Sequence, residues 1–454
     1  MLHLLLERLP KLLNPVRTLQ LAKDALWYQR QGKIPPFQFI HSAVFGQASA
    51  LHLTLNAQAN SLSHPVTRQA MDDRYNPSAV RFFKASFTEA LVNTLEWKSD
   101  SAMAQLLHQR FGAVRLFDTT HCACADALAD IFPACGGGGG EAGLKVLLSY
   151  EYGSGQLRPL DILPSKGSDQ GLADTVCWHV GAKELGLLDA GFYKAKALRK
   201  IAARGGYFLL PWPRGVSVWE IDALDQRGAQ IDIAAALKVS TDTCVEWGAV
   251  ELGQTEESRL GPVRLIAYRL AQERADRRRA QLREKCRTNG RQPTVAALEL
   301  AGWLILLTNA PAQLLPTAAV GYLYRVRWQV ELVFKQWKSV LRLDVIPSQN
   351  QSRVQCEVWA RLLAALVVSV WHQHANAASL ELYQRETSFS KVAKLLQQYG
   401  QTLARELFND RTRLEPLLRE IWKKILKLAR KEHQLSRQTT WQNLCSHWLD
   451  LAPV

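Results

Sequence analysis

The sequence predicts an α/β core, interrupted by a β-rich insertion and flanked by helical regions at both ends. Between residues 113 and 212 the pattern runs strand, strand, strand, helix, strand, helix, strand, an α/β order. Residues 213 to about 300 break that order with short β-like pieces and a basic run. Before about residue 108 and after residue 355, apolar residues recur at helical spacing.

A chain of 454 residues is too long for one simple core, so two to four domains are expected. Its 47% hydrophobic content and 14 tryptophans are those of a globular protein. The 56 basic residues outnumber 41 acidic ones, giving +15, which suggests a polyanionic partner, nucleic acid before membrane surface. The opening MLHLLLERLPKLLNPVR mixes Glu7 and Arg8 into its apolar stretch and lacks a basic start and small-residue cleavage site, unlike a signal peptide. LLAALVVSVW, at 362–371, falls far short of the ~20 residues of a membrane span. It is expected to be a buried helix of a soluble protein. The eight cysteines include no CxxC pair, which argues against a zinc ribbon or a thioredoxin-type site. His121, Cys122 and Cys124 lie close together but lack the partner pair a zinc site needs, so free thiols in a reducing cytoplasm are expected.

Element by element, residues 1 to about 108 read as helices broken at Pro35-Pro36 and around 60–65. Two short helices around SLSHP could form a helix-turn-helix. AVRLFDTT is a strand, 136–140 a flexible glycine loop, and LKVLLSYEY with LRPLDILPS a hairpin around Gly153-Ser154-Gly155. A helix over 169–185 leads to the strand LGLLDAG, and a second over 193–204 to the strand GYFLLPW. In the insertion, VSVWEI, IDIAAALKVS and VRLIAYRL read as β-like. From 264 to 291 there are ten Lys or Arg and three acids, with Arg277, Arg278 and Arg279 at the centre; a solvated helix or loop is the plain alternative to phosphate binding. GWLILLTN is an apolar strand, and the C-terminal part is helical and basic, with KKILKLARK at 423–431.

The helix YLYRVRWQVELVFKQWK carries Tyr324, Arg327, Glu331, Lys335 and Lys338 in one line, at offsets 0, 3, 7, 11 and 14. At about 100° per residue these fall within roughly 80° of each other, while Val326, Val330, Val333 and Trp337 face the opposite way. Taken alone, the stripe reads as a solvated face with helical salt bridges. Two further acids change that reading. Asp118 ends AVRLFD and Asp189 ends LGLLD, and an acid at a strand end followed by a turn is held in a fixed direction. Either Asp alone would pass for a helix cap or turn former. Together with Glu331, three carboxylates on two strands and a helix can hold two Mg²⁺ ions, which take hard oxygen ligands and serve phosphoryl transfer. Arg327, Lys335 and Lys338 would then meet backbone phosphates beside the metals.

These residues resemble a family. Tyr324, Arg327, Glu331 and Lys338 spell Y-x2-R-x3-E-x6-K, the signature of insertion sequence family four, a group of bacterial DDE transposases with an RNase H-like catalytic domain. Leu116-Phe117-Asp118-Thr119-Thr120 is similar to the family's first-aspartate strand, and Asp189-Ala190-Gly191-Phe192-Tyr193 to its second. Gly302-Trp303-Leu304 to Leu307-Thr308-Asn309 resembles its W-x-L-LTN strand, and RQAMDDRYNPSAVRFF a common N-terminal block. Alanine at 190 departs from the more usual arginine or lysine, which puts one DNA contact in doubt. The resemblance spans roughly residues 40 to 375.

The resemblance implies catalytic and metal-holding roles for Asp118, Asp189 and Glu331, with two Mg²⁺ ions and Mn²⁺ able to substitute. It implies cut-and-paste chemistry on double-stranded DNA at terminal inverted repeats, and a homodimer in the DNA complex. Action in the bacterial cytoplasm at the nucleoid is expected, without a membrane partner. In a hairpinned end, Trp303 would stack on a flipped base while Tyr324, Arg327 and Lys338 hold its phosphates; core packing is the alternative for Trp303. The expected division is a helical DNA-binding region at 1–108, core at 109–212 and 302–375, insertion at 213–301, and a basic helical region at 376–454. Rival readings are a catalytically inactive or domesticated DNA-binding regulator and an RNA-binding nuclease-fold protein.

Overall fold

The computed structural model of the chain describes residues 3, 7, 14–48, 54–95, 107–134, 140–152, 157–222, 224, 226–327, 331, 334–335, 338, 342–343, 345–346, 348–383, 385–409 and 411–431. Its centre is one large mixed sheet. The strands are β1 (Val114–Cys124), β2 (Gly143–Glu151), β3 (Leu157–Pro164), β4 (Leu185–Leu187), β5 (Tyr207–Pro211), β6 (Val218–Ile221), β7 (Arg227–Ile231), β8 (Cys244–Leu252), β9 (Leu260–Arg269), β10 (Trp303–Thr308) and β11 (Val345–Ile346). Their spatial order is β3-β2-β1-β4-β5-β10-β9-β8-β6-β7, with β11 beside β1.

The first five strands form an antiparallel meander, β1 to β3, followed by β4 and β5 running parallel to β1. This is the expected α/β core, in an RNase H-like arrangement. Its middle strands are apolar on both faces, as strands covered on two sides must be. Leu116, Val146 and Leu148 face one core, shared with the helices Pro36–Ala48, Pro77–Leu95 and Gln351–Tyr383. Phe117 and Leu147 face a second core with Val176, Leu198 and Phe208. The 33-residue helix Gln351–Tyr383 is long and apolar enough to cross a membrane, yet its apolar stretch is buried inside the protein.

Several elements differ from the sequence reading. IDIAAALKVS is not β-like: Ile233–Val239 is a helix, because Asp232 caps it by accepting from the Ala235 N–H at 3.0 Å and alanines favour helix. The helix expected over 169–185 is a 3-10 turn, Asp169–Leu172, and a short helix, Ala173–Trp178; Lys183, at φ 60°, turns the chain into β4. Asp118 lies inside β1 rather than at its end, since pairing with β2 carries the strand on to residue 124. Strands at 227–231 and 244–252 were not foreseen. The insertion strands β6 to β9 join the core sheet through β10. The basic run is the helix Gln272–Thr288.

The N-terminal block is helical, and Pro77 opens a helix whose first turn is capped by Asn76 Oδ1, 3.0 Å from the Ala79 N–H. SLSHP joins the helices Leu55–Asn60 and Arg68–Asp72. The glycine loop at 135–139, the hairpin turn at 153–156, positions Val330, Val333 and Trp337, and residues 432–454 lie outside the described residues.

Candidate active site

Two aspartates are set side by side by strand register. β1 and β4 are parallel, with Val114 opposite Leu185 and Leu116 opposite Leu187. Two residues beyond the last pair on each strand come Asp118 and Asp189, and Asp189 is near enough to raise the Asp118 pKa. Pairing with β4 stops at Leu116, whereas β1 runs on and, among the described residues, regains a neighbour on this side where Ala123 meets Val345. Asp118 therefore faces a gap in the sheet. Asp189 leaves β4 in extended conformation and starts the 3-10 turn Ala190–Phe192, with no capping bond from its side chain.

The third acid arrives on a helical segment. Thr317–Val326 is a helix ending at Arg327, and residues 331, 334, 335 and 338 are helical again. The first turn of this arm is gripped by the insertion. Arg264 of β9, 6% exposed, donates to the Ala310 and Leu315 carbonyls at 3.0 and 2.8 Å and to Thr317 Oγ1 at 3.2 Å. Glu246 of β8 balances its charge at 2.7 Å. The Tyr268 hydroxyl donates to the Thr317 carbonyl and accepts from the Gly321 N–H. Sequence reading missed this clamp, whose only signal was a charged residue inside the apolar strand VRLIAYRL.

Arg327 sits among the three acids. Its Nη2 donates to Glu331 Oε1 at 2.7 Å, and its Nη1 lies 3.8 Å from Asp118 Oδ2. Burial works against its charge, but Tyr324, Asp189 and Glu331 outweigh that and raise its pKa. Its Nε is buried without a hydrogen-bond partner among the described residues. Burial pushes Asp118 up to about 6; the Thr119 N–H and Arg327 pull it down, and Glu331 and Asp189 push it further up. Tyr324 is pushed up to about 12, by burial first. Its ring lies 5.8 Å from the Arg327 guanidinium.

Among the described residues, no three His, Cys, Asp or Glu side chains stand close enough to ligate one ion as placed. The chemistry of the donor set nevertheless fits a hard divalent cation: acids from β1, the β4 turn and the helical arm act together on one guanidinium, which takes the place of a cation. His121, by contrast, pairs with Ser165, and among the described residues neither Cys122 nor Cys124 is in a disulfide.

The remaining candidate residues divide. Lys338 helps to lower the pKa of His121, behind burial and Lys145 and against Asp169. Lys335 is exposed on the next turn. Trp303 is buried, 2% exposed, under the Arg269 guanidinium at 4.3 Å, with its Nε1 near Glu299. Arg277 is exposed, whereas Arg278 and Arg279 donate to the carbonyls of Trp303 and Leu298 at 3.0 and 3.2 Å.

Comparison with known proteins places the chain. A family model described as "Transposase DDE domain" matches residues 109–367. The chain is 24% identical to the transposase for insertion sequence element IS231C of Bacillus thuringiensis subsp. berliner, over 96% of this chain and 94% of that one. It is 25% identical to that of IS231B from the same subspecies (85% and 81%), and 24% identical to that of IS1151 of Clostridium perfringens (94% and 92%). With more than half of its length matched by that model, the chain belongs to the DDE transposases of bacterial insertion sequences.

Proposed function

We propose that this transposase binds the terminal inverted repeats of its own element and cuts and rejoins DNA there, with Asp118, Asp189 and Glu331 as its catalytic acids. The observation that carries the reading is Arg327, which lies beside Asp118 and Glu331 and has its pKa raised by Asp189 as well. Membership of insertion sequence family four, through Tyr324, Arg327, Glu331 and Lys338, is part of the same proposal.

The three carboxylates would hold two Mg²⁺ ions, or Mn²⁺ in their place, which supply an activated water nucleophile and neutralise charge on the scissile phosphate. The chain's own part is positional and electrostatic. β1 and the β4 turn fix two acids in register, and the insertion clamp on Thr317 fixes the arm that carries the third. Arg327, released from the acids, reaches a backbone phosphate, and Lys335 and Lys338 add charge along the same line. In this reading the work is done on duplex DNA in the bacterial cytoplasm, with two copies of the chain joining two element ends. Trp303 can stack on an extruded base only if its ring leaves the core, so its packing role is the better supported one.

The test is strand cleavage on DNA carrying the element's own ends, with Mg²⁺ present. Asp118→Ala, Asp189→Ala and Glu331→Ala should each abolish nicking while gel-shift binding persists, because affinity comes mostly from Lys and Arg contacts to phosphate. Cleavage by any one mutant would remove that residue from the site. Specific binding without cleavage by the unaltered protein would instead make it a DNA-binding regulator.

A further inference from the structure

One buried charge in the sheet is not explained by the three acids and Arg327. Lys145 lies near the start of β2, opposite His121, and is 4% exposed. Its ammonium donates to the Gly167 carbonyl at 2.9 Å and to Asp169 Oδ1 at 3.0 Å. That same oxygen accepts from Thr119 Oγ1 at 3.2 Å, and Thr119 is the chain neighbour of Asp118.

Asp169 also touches the segment carrying the other aspartate. It opens the 3-10 turn Asp169–Leu172, which packs on the turn Ala190–Phe192 directly after Asp189. A Cβ placed on Gly191 would lie 3.5 Å from Asp169 Cβ and 3.7 Å from its Oδ2. The next residue, Gln170, donates to the Tyr193 carbonyl at 3.1 Å. One carboxylate thus bridges the residue after Asp118 and the second residue after Asp189.

Burying a charge costs desolvation that its ion pair barely repays, so a lysine buried beside Leu144, Val146 and Leu147, with a partner at 34% side-chain exposure, points to geometry rather than stability. We propose that Lys145 and Asp169 are positioning residues that hold the Asp189 turn at a fixed distance from Asp118, and so set the affinity of the two aspartates for divalent cations. The inference rests on the assignment of Asp118 and Asp189 as metal-holding acids. Lys145 orients Asp169, and Asp169 joins β1 at Thr119 to the turn after Asp189; neither touches the reacting phosphate.

The experiment uses the full chain without DNA and measures Mn²⁺ binding by electron paramagnetic resonance, alongside thermal melting. Cleavage of element-end DNA is then followed against Mn²⁺ concentration. Asp169→Asn leaves Lys145 buried without a counter-charge and is expected to lower the Tm. The double variant Lys145→Met/Asp169→Asn removes both charges and should restore melting to near wild type. If the pair positions the aspartates, both variants need at least tenfold more Mn²⁺ for half-saturation, and saturating metal restores most of the cleavage rate in the double variant. If the pair only balances charge, the double variant recovers Mn²⁺ affinity together with Tm, and the proposal is overturned. Thr119→Val, which keeps the ion pair and the core volume, should weaken Mn²⁺ binding by a smaller factor, about threefold; an unchanged affinity there also counts against the bridge. Asp189→Ala serves as the reference. Wild-type Mn²⁺ binding and cleavage by that variant would sink the active-site assignment itself, whereas its loss with unaltered behaviour of the Asp169 variants sinks only the positioning role.

Discussion

Replacing Asp118 by asparagine should make the metal-free protein more stable and catalytically dead. The Asp118 side chain is only 19% exposed, and its pKa is pushed from 3.8 to about 6, chiefly by burial. A difference of roughly two units, at about 1.36 kcal/mol each, makes the ionised folded form about 3 kcal/mol less favourable than the neutral one. The sign follows from the raised value. Stability associated with the protonated carboxyl is fully present below about pH 4 and is lost as pH rises through about 6. Asparagine keeps the neutral shape at every pH, and its oxygen can still accept from the Thr119 N–H, which bonds Asp118 Oδ1 at 2.9 Å. Asp118→Asn should therefore match wild type near pH 4 and exceed it by up to about 3 kcal/mol at pH 8 in the presence of a chelator. Melting at pH 4, 6 and 8 reads the difference directly, at roughly 1 °C per kcal/mol if a chain of this length unfolds together. Adding Mg²⁺ should narrow the gap, because the ion stabilises the wild type and not the variant. A variant that is less stable than wild type at pH 8, or a difference that ignores pH, would refute the reasoning that Asp118 is a charge held uncomfortably for a cation.

Arg327→Gln removes the one guanidinium set among the acids, so it should lower stability at pH 8 by about 1 to 3 kcal/mol, less at pH 5, and depress cleavage strongly; a loss within about 0.5 kcal/mol with normal cleavage would mark an ordinary surface salt bridge. Trp303→Ala should destabilise by about 3 to 5 kcal/mol, as a buried ring does, and thermal melting that leaves Tm unchanged would return the ring to a stacking role. Neutralising Arg277, Arg278 and Arg279 together should flatten the slope of log affinity against log salt by about 0.9 for each DNA phosphate that these arginines neutralise. With Arg278 and Arg279 already bonded to carbonyls, a change equivalent to a single phosphate is expected, and an unchanged slope would make the helix Gln272–Thr288 a solvated surface only.

The α/β core was legible in the sequence, because its strands are short apolar runs bounded by turns, a local pattern. The sequence also marked Asp118, Asp189 and Glu331, since an acid ending an apolar run and a cationic stripe at helical spacing are features of neighbouring residues. Local pattern failed where a distant or capping group decides the outcome. Asp232 turned IDIAAALKVS into a helix, and pairing with β2 carried β1 past Asp118. Trp303 could not be placed from sequence at all, because a strand residue looks alike whether its outer face meets solvent, DNA or, as here, Arg269. Only tertiary structure joined the insertion to the core through β10, put Arg264 on the start of the glutamate arm, and brought Lys145 to Asp169 and Asp169 to Thr119. Those contacts link residues far apart in the chain, and a buried charge reveals its partner only when the fold brings the two together.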